Sequence, residues 1–142
     1  MPEVDAEFTA LPLRQLADAA LSRARELGAE HADLRVERRR EQNIGLRDGR
    51  VESSRDGEDR GLAVRLVHEG TWGFAAGVEF TVEEAVRLAE QAVEVARVSA
   101  PVNTDRVELA DEAVYSDATW VSAYEVDPFA VAESDKLGLL TD

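Results

Sequence analysis

The two histidines, His31 and His68, are the side chains best suited to bind a metal or to move a proton near neutral pH. His68 is followed by Glu69, as in the zinc motif H-E-x-x-H, whose two histidines share one face of a helix. The motif is not completed, because the fourth residue after His68 is Trp72. We therefore expect His68 to be a polar residue beside a turn and His31 to lie between a helix and a strand.

No other pattern in the sequence is typical of an active site. Acidic residues are numerous, but none lies in an apolar setting that would raise one pKa of a catalytic pair. Ser53 and Ser54 lack the G-x-S-x-G context of a nucleophile elbow, and no phosphate-binding glycine loop is present. The absence of cysteine excludes disulfides, thiolate ligands and a cysteine nucleophile within these residues. We assign no catalytic, cofactor-binding or metal-binding residue.

Two clusters have the composition of contact surfaces. The run from Arg38 to Arg40 is the one basic cluster, and it predicts either a solvated strand end or a site for an anion or an acidic partner. Trp120 and Tyr124 are four residues apart and would share one side of an extended segment. They predict either core packing or an aromatic pair that faces a partner.

The net charge excludes several classes of function. Sixteen Lys and Arg oppose thirty Asp and Glu, which gives a formal net charge of −14 at pH 7. Such a chain is unsuited to nucleic acid, whose phosphates need a basic protein face, and to an anionic membrane surface. No apolar stretch approaches the ~20 residues of a membrane span, and residues 1–10 do not resemble a signal peptide. We expect a cytoplasmic protein that binds neither nucleic acid nor membrane.

Two amphipathic helices are predicted from the spacing of apolar residues. Between residues 13 and 27 the apolar positions recur with the helical period, after Pro12 and before Gly28. Glycine at that position suits the left-handed backbone that follows many helices. The second helix is predicted to begin at Thr81, which has capping-box spacing to Glu84, and to stop at Pro101.

The residues between these helices alternate with the period of two that is typical of strands. Residues 32–36 and 42–46 alternate in this way, and Asp48-Gly49 is a preferred dipeptide of the type I′ hairpin turn. Residues 51–55 continue on the returning strand, and a polar stretch over residues 56–60 separates them from the apolar residues 62–67. A second tight turn is predicted at Glu69-Gly70, before a strand over residues 71–78.

The last predicted strand has a large face and a small face. Trp72 and Phe74 lie on the first, while Gly73, Ala75 and Gly77 lie on the second. We expect the large face to pack on the helices, and the small face to allow something to lie close against it.

The elements predict an α+β fold, with an antiparallel meandering sheet of about four to five strands and two main helices packed on one face. We expect a poorly ordered lead-in over residues 1–10, the α+β domain over 11–100 and an irregular connecting segment over 101–142. Short strands are predicted near Val114 and over residues 120–126. The apolar pattern of residues 133–142 predicts a helix without a stop signal, and we expect the chain to be a fragment of a longer protein.

Four sequence phrases, in this order and spacing, resemble the N-terminal domain of the TldD/PmbA family, also called modulator of DNA gyrase. The phrases are ADL at residues 32–34, LRDGRVE at 46–52, DRGLAVR at 59–65 and GTWGFA at 70–75. The later phrase YEVDPF at residues 124–129 looks more like the TldD branch than the PmbA (TldE) branch. The resemblance covers residues 11–142.

The resemblance implies a cytoplasmic zinc metallopeptidase that acts on peptides and that pairs with a PmbA/TldE-like subunit or with itself. The TldD branch carries an H-E-x-x-x-H zinc motif, in which the glutamate would activate a zinc-bound water. That motif is missing here, so no catalytic or metal residue is carried over and zinc is expected only in the full-length protein.

Two functions follow as hypotheses. In the first, the chain is the N-terminal domain of a TldD-like zinc metallopeptidase and contributes scaffold, subunit contacts and part of a substrate channel, but is inactive alone. A peptide would then be held along a sheet edge by main-chain hydrogen bonds. The alternative is a stand-alone, non-catalytic binding or adaptor module, which should bury Leu137, Leu139 and Leu140.

Overall fold

A computed structural model describes residues 5–141 of the chain. The elements in chain order are α1 (Ala6–Thr9), α2 (Leu13–Glu26), β1 (His31–Arg47), β2 (Arg50–His68), β3 (Thr71–Gly77), α3 (Val82–Ser99), a 3-10 turn (Ala100–Val102) and α4 (Glu133–Thr141). The predicted α+β class is confirmed. The sheet, however, has three antiparallel strands in the order β1-β2-β3, and not four to five.

The strand number differs because β1 and β2 are long and continuous. The sequence interpretation divided them at their polar stretches, where apolar alternation stops. Strand pairing does not require apolar side chains, since its hydrogen bonds join main-chain groups. Charged side chains also match across the two strands, as Arg38 Nη2 lies 2.8 Å from Glu58 Oε2 and Arg40 Nη2 lies 3.1 Å from Asp56 Oδ2.

The chain forms two compact units. One, here the core unit, comprises Asp5–Glu37 and Arg60–Asp117. The other, here the ribbon unit, comprises Arg38–Asp59 and, within the described chain, residues 118–141. The single turn of α1 lies in the segment 1–10 that was predicted to have little order, and residues 1–4 of that segment lie outside the described residues.

Residues 103–132 form neither helix nor strand. The short strands predicted near Val114 and over residues 120–126 are therefore absent. Apolar side chains of both segments are largely exposed, among them Val114 and Trp120, which is 84% exposed, so little burial stabilises a strand there. None of the helices in the described chain is both long enough and apolar enough to cross a membrane.

Both ends of α2 follow from local chemistry. Pro12 precedes its first residue, and Gly28 adopts the predicted left-handed conformation with φ of +87°. The Gly28 N–H donates to Arg25 O and the Ala29 N–H to Ala24 O, each at 3.0 Å. These two bonds form a Schellman motif, which satisfies carbonyls that would otherwise be left open at the helix end.

Helix α3 begins and ends as predicted. Thr81 Oγ1 accepts a hydrogen bond from Glu84 N at 3.2 Å, which satisfies one of the free N–H groups of the first turn. The helix ends at Ser99, and Pro101 lies in the following 3-10 turn. Arg23 of α2 joins the two helices, because its Nε atom donates a hydrogen bond to Glu90 of α3. The hydrogen bonds of Arg23 to Glu26 and Glu90 raise the pKa of its guanidinium.

The hydrophobic core lies between the two helices and one face of the sheet. The fully buried side chains come from all of these elements: Leu16, Ala20 and Ala24 from α2, Leu62, Val64 and Leu66 from β2, and Ala85, Leu88, Ala89, Ala92, Val93 and Ala96 from α3. Burial of such side chains is the main favourable term in folding. The many alanines of α3 allow its axis to approach the sheet closely.

The helices pack on the small face of β3, contrary to the expectation that its large face would pack on them. Thr71, Gly73 and Ala75 are buried, whereas Trp72 and Phe74 are exposed. A Cβ atom on Gly73 would overlap the carbonyl oxygen of Ala92. The backbone of α3 therefore lies directly on the strand, at a distance that only glycine permits.

We expect Gly73→Ala to lower the free energy of unfolding by about 2–4 kcal/mol, because the added methyl must displace the α3 backbone. Urea denaturation followed by circular dichroism measures the change. Gly138→Ala in α4 is the matched control, since a Cβ there meets no atom within 4 Å, and it should leave stability equal or up to about 1 kcal/mol higher. Equal stability of the two variants would contradict the close contact.

Candidate functional site

The candidate site begins at the hairpin that joins β2 to β3. Glu69 and Gly70 have φ of +50° and +73°, so the predicted tight turn is of type I′. His68 pairs with Thr71, and the register continues without a bulge to Leu62 paired with Gly77. The two residues that flank a two-residue turn form a hydrogen-bonded pair. Along an antiparallel ladder, such pairs alternate with pairs that are not hydrogen-bonded to each other.

The alternation decides which main-chain groups of β3 remain open. Thr71, Gly73, Ala75 and Gly77 bond to β2, so the N–H and C=O groups of Trp72, Phe74 and Ala76 point away from it. Strand β3 is the last strand of the sheet. Within residues 5–141, the following segment bonds to this hairpin through its backbone at the turn, where the Val107 N–H donates to Gly70 O at 2.9 Å. The outer edge of residues 72–76 is therefore unpaired in the described chain.

One side of this edge carries exposed aromatic side chains. Trp72 is 39% exposed and Phe74 is 56% exposed. The guanidinium of Arg65, on β2, lies 5.0 Å from the centre of the Trp72 ring. Asp33 Oδ2 fixes that guanidinium by accepting hydrogen bonds from Arg65 Nε at 2.9 Å and Nη2 at 2.8 Å. The result is an ordered cation–π pair on the open face of the sheet.

The other side of the edge is an uncharged groove of about 270 Å³. The groove is lined by Thr71, Trp72, Ser99, Val102, Asn103 and Val107. Asn103 Nδ2 donates to Gly70 O at 3.2 Å and to Thr71 Oγ1 at 3.1 Å, which fixes the segment after α3 against the turn. Val102 is 82% exposed, and Val98 is also exposed. An apolar surface thus borders the unpaired edge.

A charged pair stands near the far end of β3. Arg87 donates to both carboxylate oxygens of Glu84, from Nε at 2.7 Å and from Nη2 at 2.6 Å. These hydrogen bonds lower the pKa of the Glu84 carboxyl and raise that of Arg87. A Cβ atom on Gly77 would meet the same carboxylate, so the pair lies directly against the strand.

The two histidines do not form a site together. His68 is 7% exposed, and its buried Nδ1 atom has no hydrogen-bond partner among residues 5–141. His31 lies 3.5 Å from Asp33 and is partly exposed. Within residues 5–141, no three His, Cys, Asp or Glu side chains come together as metal ligands. The donor set of the described chain does not fit a zinc ion, which needs at least three protein ligands.

The arginine run lies in the ribbon unit, where each member faces a carboxylate. Arg38 pairs with Glu58, Arg40 with Asp56, and Arg39 Nε lies 3.1 Å from Glu41 Oε1. The hydrogen bond to Asp56 raises the pKa of Arg40. These carboxylates occupy the positions that an external anion would take, so the anion-site hypothesis is not supported.

The ribbon unit also contains an apolar groove of about 470 Å³. Its lining includes Ile44, Pro128, Phe129, Leu139 and Leu140. Lys136 and Gln42 hydrogen-bond at its rim. Trp120 and Tyr124 do not line it, and both are exposed, so the core-packing interpretation of this pair is wrong.

The Glu84–Arg87 pair generates a prediction about pH. Because the pKa of Glu84 is lowered in the folded chain, the pair stabilises the fold above the ordinary glutamate pKa, and this contribution is lost as the pH falls through the folded pKa. Arg87→Gln should return the pKa of Glu84 towards its ordinary value. Carbon-detected NMR titration of the carboxyl measures it, with Arg97→Gln as the control. An unchanged Glu84 pKa in Arg87→Gln would refute the assignment.

Comparison with known proteins finds a family model and several relatives that are similar to this chain. Residues 32–96 match the family model described as PmbA/TldA metallopeptidase domain 1. A metalloprotease of Methanothermobacter thermautotrophicus is 30% identical over 113 residues, which are 80% of this chain and 23% of that protein. A metalloprotease of Methanocaldococcus jannaschii is 26% identical over the same length, 80% of this chain and 25% of that protein. The matched part thus spans about a quarter of the length of these curated relatives.

Two solved structures share the fold. TldE from Thermococcus kodakarensis has a TM-score of 0.53 at 15% identity, and the match covers 76% of this chain and 23% of the TldE chain. A protein from Bacteroides thetaiotaomicron, named as a modulator of DNA gyrase, has a TM-score of 0.59 at 18% identity. The match covers 89% of this chain and 28% of the Bacteroides protein. The predicted resemblance to the PmbA/TldD family is confirmed, and residues 32–96 match the model of that family's first domain.

Proposed function

We propose that this chain is the first-domain part of a TldD-like zinc metallopeptidase, which hydrolyses peptides only in the full-length protein. The family match over residues 32–96 carries the proposal. Two relatives that extend well beyond the matched region bear the name metalloprotease, which supports it further. The part described here supplies scaffold, subunit contacts and a section of the substrate channel.

The hydrolytic chemistry then belongs to residues outside this chain. A zinc ion bound there would supply a nucleophilic water and polarise the peptide carbonyl. In the described chain, His68 is buried in the hairpin, His31 lies 3.5 Å from Asp33, and no group of three possible metal ligands is present. Neither arrangement approaches the three protein ligands of a catalytic zinc site.

The open edge of β3 suits a role in the substrate channel. An extended peptide is held at such an edge through its own main chain, so the same surface accepts many sequences. A peptidase that acts on varied substrates needs this kind of recognition. The partner subunit of PmbA/TldE type and the cytoplasmic location are further parts of the proposal, and the likeness to a solved TldE fold is compatible with such a partner.

The alternative, a stand-alone binding module, is less well supported. Such a module was expected to bury Leu137, Leu139 and Leu140. Leu139 and Leu140 are exposed and line the apolar groove of the ribbon unit. Exposed apolar surface of this kind is typical of a face that another part of a larger protein covers. This observation favours the first-domain proposal.

We expect the purified chain to hydrolyse no peptide, with or without added zinc, because no zinc site can be assembled from its described residues. A mixture of quenched fluorogenic peptides measures hydrolysis, and elemental analysis after gel filtration measures retained zinc. Chelator-sensitive hydrolysis together with about one zinc per chain would contradict the proposal. The variants His31→Asn and His68→Asn control for contamination, because a contaminating protease would remain active in both.

A further inference from the structure

The outer edge of β3 lacks the features that usually protect an edge strand. Proteins discourage pairing at exposed edges with charged residues, proline or bulges. Residues 71–77 contain no charged residue and no proline, and their register with β2 has no bulge. The opposite edge strand, β1, is in contrast rich in charged residues. The β3 edge is therefore the one suited to accept another strand.

The surroundings of this edge are apolar apart from Arg65, whose guanidinium lies over the Trp72 ring and is paired with Asp33. Trp72 and Phe74 stand on the open face of the sheet, and Val102 lines the groove next to Thr71 and Trp72. Successive side chains of an added strand point to opposite faces. One set would lie against the aromatic rings and the other against the groove. An occupant with apolar residues at alternate positions places all of them on one face, here against the groove, and its intervening side chains lie against the aromatic rings.

The charges define the occupant further. The six residues that line the groove are uncharged, while the chain as a whole carries a formal net charge of −14. The long-range field therefore attracts positive and repels negative ligands. The centre of the occupant should be apolar, and its ends should be basic.

We propose that the outer edge of β3 binds an extended peptide that has apolar residues at alternate positions and basic ends, as an added strand of the sheet. The main-chain groups of Trp72, Phe74 and Ala76 bond to the peptide, and the groove beside Val102 receives its apolar side chains. The inference rests on the proposed function, in which this part forms a section of the substrate channel, and it names the substrate class.

The first test uses a nine-residue peptide of alternating valine and threonine with arginine at both ends. Trp120→Phe leaves Trp72 as the one tryptophan, so its fluorescence reports binding at the edge. Two further peptides are N-methylated, one at the valines and one at the threonines. Main-chain pairing requires the N–H groups of one set, whereas the other set faces away. One methylated peptide should therefore bind at least about tenfold more weakly, and the other within about twofold of the parent.

The second test changes the strand itself. Ala76→Pro removes an N–H that points away from β2, a position where edge strands tolerate proline. Ala76→Thr is the matched control, because it keeps that N–H in a residue that favours strands. We expect about tenfold weaker binding of the arginine-ended peptide to Ala76→Pro and nearly unchanged binding to Ala76→Thr. If Ala76→Pro fails to fold, the methylated peptides alone decide the question.

Several outcomes would overturn the inference. These are no saturable change in Trp72 fluorescence, equal loss of binding by both methylated peptides, or equal binding by a peptide with glutamate at both ends. None of them bears on the proposal that hydrolysis requires the full-length protein, whose own test is the absence of hydrolysis by the chain. Hydrolysis by the chain would refute that proposal even where peptide binding at β3 is measured.

Discussion

The structure of the core unit depends on one close contact, in which the backbone of α3 lies on the backbone of β3 at Gly73. A side chain at that position would overlap the Ala92 carbonyl oxygen, so the contact exists because glycine has none. Ala92 and Ala96, both fully buried, keep the facing surface of the helix equally thin. The contact fixes α3 over the strand. Helix α3 also contacts α2, whose Arg23 hydrogen-bonds to Glu90 of α3.

The same contact determines which surface remains available for binding. Because side chains alternate along a strand, placing Gly73 and Ala75 under the helix places Trp72 and Phe74 on the open face. The hairpin turn sets the hydrogen-bond alternation, so the exposed residues are also those whose main-chain groups point away from β2. The exposed aromatic side chains thus follow from the packing of α3, whereas the open main-chain groups follow from the turn and from the place of β3 at the edge of the sheet. Neither involves the two histidines.

Features with a local cause could be predicted from the sequence, whereas those set by tertiary packing could not. The left-handed Gly28 after α2, the Thr81 cap and the tight turn at Glu69-Gly70 depend on a few neighbouring residues, and all were predicted. The strand count was wrong because polar residues 56–60 remain extended through pairing with β1. The face of β3 was assigned by side-chain size, which ignored how closely a helix can approach glycine. No signal along the sequence shows that the β3 edge lacks a neighbour, because this depends on the topology of the whole sheet.

Amide hydrogen exchange along β3, measured by NMR on the full chain without peptide, tests the central claim most directly. If α3 covers the small face and the outer edge is open, the amides of Gly73, Ala75 and Gly77 exchange slowly because they bond to β2. The amides of Trp72, Phe74 and Ala76 should then exchange at least about a hundredfold faster, since they point to solvent. Equal protection of all six amides would contradict the account, because it would require a partner along the edge that we describe as unpaired.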